Sequence, residues 1–164
     1  VRKLGCPWQP ELGIGALAAG DVRVITVGLV GELGMTQEQL DEVTAREQAE
    51  LFRRVRRYRG DHQPIDVTDR DVIVIDDGLA TGYTARAAVE ALRQRGAVRV
   101  ALAVPVAPDD EAAELRAVAD DVVTVITRPF FFAIGDAYDD FSQVTDEGVV
   151  SILGQAEGRP RSDI

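Results

Sequence analysis

Val72-Ile-Val-Ile-Asp-Asp-Gly-Leu-Ala-Thr-Gly-Tyr-Thr84 decides how the rest of the chain is read. Four β-branched residues, Val72 to Ile75, make the short apolar run that a strand buried on both faces of a parallel sheet requires. Asp76 and Asp77 follow at once, at the carboxyl edge of that strand, where open α/β sheets place their ligands. Gly78, Ala80, Thr81, Gly82 and Thr84 keep the next turn small, so that backbone N–H groups and hydroxyls can surround an anion at the start of the following helix. Carboxylates do not hold phosphate, but they accept hydrogen bonds from vicinal sugar hydroxyls. The stretch therefore reads as a phosphosugar site, with acids for the sugar and the turn for the phosphate.

Downstream, the order strand, helix, strand, helix, strand implies a parallel sheet with right-handed crossovers. Ala85 to Arg95 is a helix with Ala88, Val89 and Leu92 on one face and Gly96 as its stop. Val98 to Val104 is the next strand, Pro108-Asp-Asp-Glu111 opens a helix to about Ala119, and Val122 to Ile126 is a further buried strand. Arg128-Pro-Phe-Phe-Phe132, Gly135, Tyr138 and Phe141 lead to a short helix from about Thr145. Upstream, Glu11 to Ala18 and Val22 to Val27 form a hairpin flap with Gly20 in its turn. Thr36-Gln-Glu-Gln39 resembles a capping box, and Leu40, Val43, Leu51, Phe52 and Val55 keep helical spacing to about Tyr58. The final turns of that helix gather Arg53, Arg54, Arg56, Arg57 and Arg59, which either complement the helix dipole in solvent or face an anion.

The 164 residues, 46% of them apolar, suit one domain with one core. Eighteen basic and 28 acidic residues give a net charge of -10, which argues against a nucleic-acid surface or an anionic membrane as partner. One cysteine, Cys6, and one histidine, His62, exclude an intramolecular disulfide and a His/Cys zinc cage, and fit a reducing cytoplasm. The longest apolar run, 97–107, is short and carries Arg99, so it fits neither a membrane span nor a secretory signal. Val1-Arg2-Lys3 reads as the end of a strand. Two explanations stand open: an absent upstream strand-helix unit, or a processed or misassigned start.

A hydrophobic strand, two acids, small residues and then Thr81-Gly82-Tyr83-Thr84 resemble the 5-phosphoribosyl 1-diphosphate (PRPP) motif of type I phosphoribosyltransferases. Arg2-Lys-Leu-Gly5 and Gln9-Pro-Glu-Leu-Gly-Ile-Gly-Ala16 are similar to a subgroup of uncharacterised bacterial phosphoribosyltransferases, some fused to hydrolase domains. The resemblance implies an α/β fold: a three-layer arrangement on a parallel sheet with a small hood or flap, the N-terminal strand-helix unit being absent under the first reading of the start. One domain is expected over 1–155, with a hood and long helix at 6–60, a PRPP core at 70–128, a C-terminal loop and helix at 129–155, and a disordered tail at 156–164.

The resemblance also assigns residues. Asp76 and Asp77 would act in catalysis and bind the ribose 2- and 3-hydroxyls, while Gly78, Ala80, Thr81, Gly82, Tyr83 and Thr84 would wrap the 5-phosphate. Mg²⁺ is implied, held mainly by PRPP oxygens and water, with no metal ligand assigned to the protein. Arg2-Lys3 is similar to the Arg-Lys pair that begins a mobile loop in the orotate branch, so Arg2, Lys3, Arg57 and Arg59 are candidates to close over pyrophosphate, with Lys3 also a candidate catalytic group. Phe132 and Asp139 loosely resemble the stacking aromatic and acid of hypoxanthine-type members, although Phe130, Phe131 and Phe132 equally suit a core plug or a dimer interface. The expected function is transfer of phosphoribosyl to a nitrogenous base with release of pyrophosphate by a cytoplasmic homodimer. The alternative is a PRPP-sensing regulatory or binding module. The early-strand pyrophosphate loop of the family is not found ahead of Val1, so PRPP binding is better supported than turnover. A nucleoside triphosphatase lacks its Gly-x4-Gly-Lys-Ser/Thr segment here.

Overall fold

The structure, a computed structural model, describes residues 1–60, 62–129 and 133–157. β1 (Arg2–Cys6), β2 (Gln9–Ala18) and β3 (Val22–Ile25) form an antiparallel sheet in that order. Its second turn holds Gly20 at φ +92° and Asp21 at φ +59°, residue types that tolerate the left-handed region. A short α1 (Val27–Glu32) leads to the 23-residue α2 (Gln37–Arg59). At the start of α2 the Gln39 amide donates to Thr36 Oγ1 at 3.2 Å, and the Thr36 amide donates to Gln39 Oε1 at 2.9 Å. That reciprocal box satisfies two otherwise orphaned donors.

β4 (Asp71–Ile75), α3 (Tyr83–Gln94), β5 (Arg99–Pro108), α4 (Asp109–Leu115) and β6 (Asp121–Arg128) make a parallel sheet ordered β4-β5-β6, with Ile75 beside Ala103 and Ala103 beside Val123. A 3₁₀ turn (Ile134–Ala137) and α5 (Asp146–Glu157) follow. The layers are set by which side chains can bury. α2 places Leu40, Val43 and Leu51 on Leu4, Cys6, Ile14 and Leu17 of the antiparallel sheet. Ala16, Ala18 and Val22 of that sheet also meet Ala87 and Ala91 of α3. The opposite side of α3, with Ala85 and Val89, joins Ala112 and Leu115 of α4 over Val100, Leu102, Val104 and Val122 of the parallel sheet. Each fully buried Val or Leu contributes about 1.5–3 kcal/mol, so the two outer interfaces carry most of the stability. α3 thus lies between two sheets and brings its N-terminus to the place where they approach.

Several sequence expectations need correction. The strand over 72–75 is not buried on both faces: Ile73 is 67% exposed and Ile75 79%, as is Val125 of β6 at 81%. In a sheet ordered consecutively, two right-handed crossovers step in the same direction and leave both helices on one face. Among the described residues α3 and α4 cover one face of the parallel sheet, and the architecture is the expected α/β one, a parallel sheet with helices and a small antiparallel hood. Val1-Arg2-Lys3 is not the end of a strand, since β1 starts at Arg2 and continues to Cys6. β3 stops at Ile25, and Val27 belongs to α1. β5 runs on through Pro105, which lacks a ladder donor and sits between the paired Val104 and Val106. α4 ends at Leu115, short of Ala119. Of the proposed tail, Ala156 and Glu157 lie in α5, and 158–164 lie outside the described residues.

Candidate active site

β4 delivers Asp76 and Asp77 to the carboxyl edge of the parallel sheet. The chain then stays tied to β5, because the Leu79 amide donates to the Val106 carbonyl at 3.0 Å. Gly78 is the residue that allows this. A Cβ there would lie 2.7 Å from Ile134 Cγ2 and 3.2 Å from the Val106 carbonyl oxygen, too close for any larger residue without displacement. Gly82 caps α3 at φ +64°, a conformation that L side chains rarely adopt. No side chain caps this helix and no acid occupies its first turn. Its leading amides and positive dipole end are therefore available to an anion.

A cavity of about 500 Å³ opens between these elements, lined by Asp76, Asp77, the turn 78–82, Tyr83, Thr84, Lys3 and Ile134 among others. Lys3 comes from β1, in register with Ala16. Gly13 of β2 leaves the hood close to the turn: a Cβ on it would sit 3.5 Å from the Tyr83 ring and 3.7 Å from Thr81 Oγ1. Two separately cored halves of the molecule thus meet over one set of small residues.

The electrostatics of the acid pair are asymmetric. Burial pushes the Asp76 carboxyl above its ordinary range, opposed by the Asp77 amide, which donates to Asp76 Oδ1 at 3.1 Å, and reinforced by the Asp77 charge. Behind the turn, burial and then the neighbouring Glu114 raise the Glu111 carboxyl.

The sequence candidates are not all brought together. Asp76, Asp77, Gly78, Ala80, Thr81, Gly82, Tyr83, Thr84 and Lys3 share the cavity. Arg2 points instead to Glu47 of α2, with Nε and Nη2 at 3.1 and 2.7 Å from Oε2. Arg57 pairs with Asp146 and Glu147 of α5, and Arg59 does not line the cavity. The arginine cluster has a role that neither sequence reading contained. Arg53 bridges Glu50 and Asp146, Arg54 pairs with Glu50 at 2.8 Å, and the Tyr58 hydroxyl donates to Asp146 at 2.6 Å. Hydrogen bonds from Arg53 and Arg54 hold Glu50 down at about 2, and those from Tyr58 and Arg53 lower Asp146. This network fastens α5 to α2. Asp139 is exposed and off the cavity, and Phe132 lies outside the described residues.

Two contacts escaped sequence reasoning. Ile134 lines the cavity, and the Tyr138 hydroxyl donates to the Asp77 carbonyl. Neither has a local signal, since 61 positions separate Tyr138 from Asp77. A small residue at position 78 was legible, but not what it makes room for.

A parallel strand ending in two acids, a glycine-bearing turn and an uncapped helix N-terminus meet at one cavity of an α/β protein. Residues 12–142 match the phosphoribosyl transferase domain, and the chain belongs to that family. A Mycobacterium tuberculosis protein named putative phosphoribosyl transferase is 42% identical over 156 residues, covering 95% of this chain and 35% of its own length. The chain therefore spans about a third of that relative. A Desulfitobacterium hafniense uracil phosphoribosyltransferase is 31% identical over 159 residues, 96% of this chain and 65% of its own. The solved structure of TT1426 from Thermus thermophilus aligns with a TM-score of 0.71 at 37% identity, over 94% of this chain and 73% of that one.

Proposed function

We propose that this protein binds PRPP and transfers its phosphoribosyl group to a nitrogenous acceptor with release of pyrophosphate. The observation that carries this reading is the placement of two carboxylates across one cavity from an uncapped helix N-terminus, the donor and acceptor pattern of a ribose 5-phosphate. Asp76 and Asp77 accept from the ribose 2- and 3-hydroxyls, and residues 78 and 80–84 surround the 5-phosphate. In the reaction the bond from C1 to the pyrophosphate oxygen breaks and a bond from C1 to the acceptor nitrogen forms. Positive charge develops on the ribose ring, which the acid pair stabilises, and Lys3, which lines the same cavity, would meet the departing pyrophosphate. Among the described residues no group of three side chains could hold a metal, which suits Mg²⁺ carried mainly by phosphate oxygens and water, with the aspartates acting on it at most indirectly. Bound with the diphosphate, Mg²⁺ would supply charge neutralisation on the leaving group.

The acceptor side falls to the segment after β6, where Ile134 and Tyr138 stand near the acids and where Phe132 and Asp139 are the sequence candidates. Uracil is the first acceptor to try, because several relatives are named uracil phosphoribosyltransferases. A homodimer in a reducing cytoplasm completes the proposal, in keeping with a buried free Cys6. A binding or sensing module without turnover is the second reading, favoured by one feature: Lys3 is the one cationic side chain lining the cavity among the described residues.

The test is pyrophosphate release from PRPP and Mg²⁺ by the full chain with uracil and a panel of other bases, with Asp76→Asn/Asp77→Asn as control. Acceptor-dependent release that the double variant abolishes is the expected result. Calorimetric binding of ribose 5-phosphate without release would favour the sensing module, and no binding at all would refute the site.

A further inference from the structure

The segment after β6 grips the acid pair at two points. The Tyr138 hydroxyl donates to the main-chain carbonyl of Asp77, and Ile134 packs against Gly78 so closely that a Cβ there would lie 2.7 Å from Ile134 Cγ2 and force a shift. The Asp77 residue is then held from both sides of its backbone: its amide donates to Asp76 Oδ1, and its carbonyl accepts from Tyr138. Tyr138 is itself steadied by Phe141, whose ring centroid is 5.1 Å away at an interplanar angle of 34°. At its far end the same segment is fastened where Asp146 meets Tyr58 and Arg53.

We propose that Tyr138 is a positioning residue: its hydroxyl fixes the peptide plane after Asp77 and so aims both carboxylates at the ribose hydroxyls. The proposal rests on the ribose-phosphate reading above. Tyr138 itself touches no substrate atom. It acts chiefly on the sugar half of the site: of the residues assigned to the phosphate only Gly78 shares the peptide it bonds, while 80–84 and the N-terminus of α3 follow beyond it. Without that bond the backbone at Asp77 is held only through its amide, and both carboxylates lose part of their aim at the sugar while the helix N-terminus stays in place.

The experiment compares two probes, ribose 5-phosphate and inorganic phosphate, on wild type and Tyr138→Phe, by titration calorimetry with a thermal melt of each protein. Phenylalanine keeps the ring against Phe141 and removes only the hydroxyl. Loss of one hydrogen bond should weaken ribose 5-phosphate about three- to tenfold, with inorganic phosphate unchanged and the melting temperature held. Equal weakening of both probes would show a general structural role and overturn the proposal, as would unchanged ribose 5-phosphate affinity. Failure of wild type itself to bind ribose 5-phosphate would instead overturn the functional reading on which it stands. As a second variant, Phe141→Ala should reproduce the sugar-selective loss in weaker form; a loss shared by both probes there would also count against it.

Discussion

Gly78→Ala tests the contact between the acid-bearing turn and the segment after β6 directly. The new Cβ would lie 2.7 Å from Ile134 Cγ2, roughly 0.8 Å inside an ordinary carbon contact. Something must shift, and Ile134 is the movable partner, since the other neighbour is the Val106 carbonyl at 3.2 Å, backbone held within β5. Overpacking of this kind costs about 1–3 kcal/mol, and a domain of this size loses about 2–4 °C of melting temperature per kcal/mol. A decrease of about 2–12 °C is therefore expected. Ile134→Ala removes both side-chain atoms that crowd the site, so Gly78→Ala should cost at least about 1 kcal/mol less in that background. Urea denaturation of the four proteins of the cycle reads this coupling, and calorimetry with ribose 5-phosphate shows whether displaced Ile134 also harms the site. Additivity within about 0.5 kcal/mol would mean that Ile134 does not press on Gly78, and the two-point grip would be refuted.

Because burial raises the Asp76 carboxyl above its ordinary 3.8, the charged form is disfavoured in the folded protein; the native state binds this proton more readily than the unfolded chain, and stability is lost as pH rises through the folded value. Asp76→Asn should then raise the melting temperature at pH 7 while weakening ribose 5-phosphate, and wild-type affinity should fall on acidification at a pH above 3.8; a destabilised variant would contradict the burial argument. Asp146 has the opposite sign: its lowered value stabilises above the ordinary range and the contribution disappears as pH falls through the folded value. Asp146→Asn should accordingly lower the melting temperature at pH 7, expose α5 to limited proteolysis, and make no difference once acid has protonated the wild-type group. On the uncovered sheet face, Val125→Lys should reduce binding of the dye ANS with a melting temperature within about 2 °C of wild type, since exposed substitutions usually change stability by no more than about 0.5 kcal/mol; a large loss would show that the face is packed.

What the sequence disclosed was local in origin. Val72 to Thr84 carries strand, acids and turn within thirteen positions, so its reading needs no knowledge of the fold, and Thr36 with Gln39 states a helix start in four. Gly20 marks its turn because few other residues take its backbone angle. The run at 72–75 misled for a related reason: periodicity reports that side chains are apolar, while which face is covered depends on the direction of two crossovers. The pairing of Arg53 with Asp146 spans 93 positions and that of Tyr138 with Asp77 spans 61. Such pairings have no composition or period of their own, and a tyrosine at 138 looks the same whether it bonds the site or solvent.

The buried centre of the contact between the hood and α3 is made by Ala16, Ala18 and Val22 on Ala87 and Ala91, with Val24 and Tyr83 packed at its margin. Alanine has no rotamers to rearrange and no long branches to interlock, so little side-chain order must be broken for one surface to slide on the other. The centre of that junction is shaped to serve as a bearing rather than a weld. Shear of packed elements over a smooth contact is one of the standard ways in which proteins close around ligands, and here it would carry Lys3 and Gly13 across the mouth of the cavity without disturbing either flanking core. Replacing Ala87 by leucine would roughen that bearing at a distance from every atom that touches substrate.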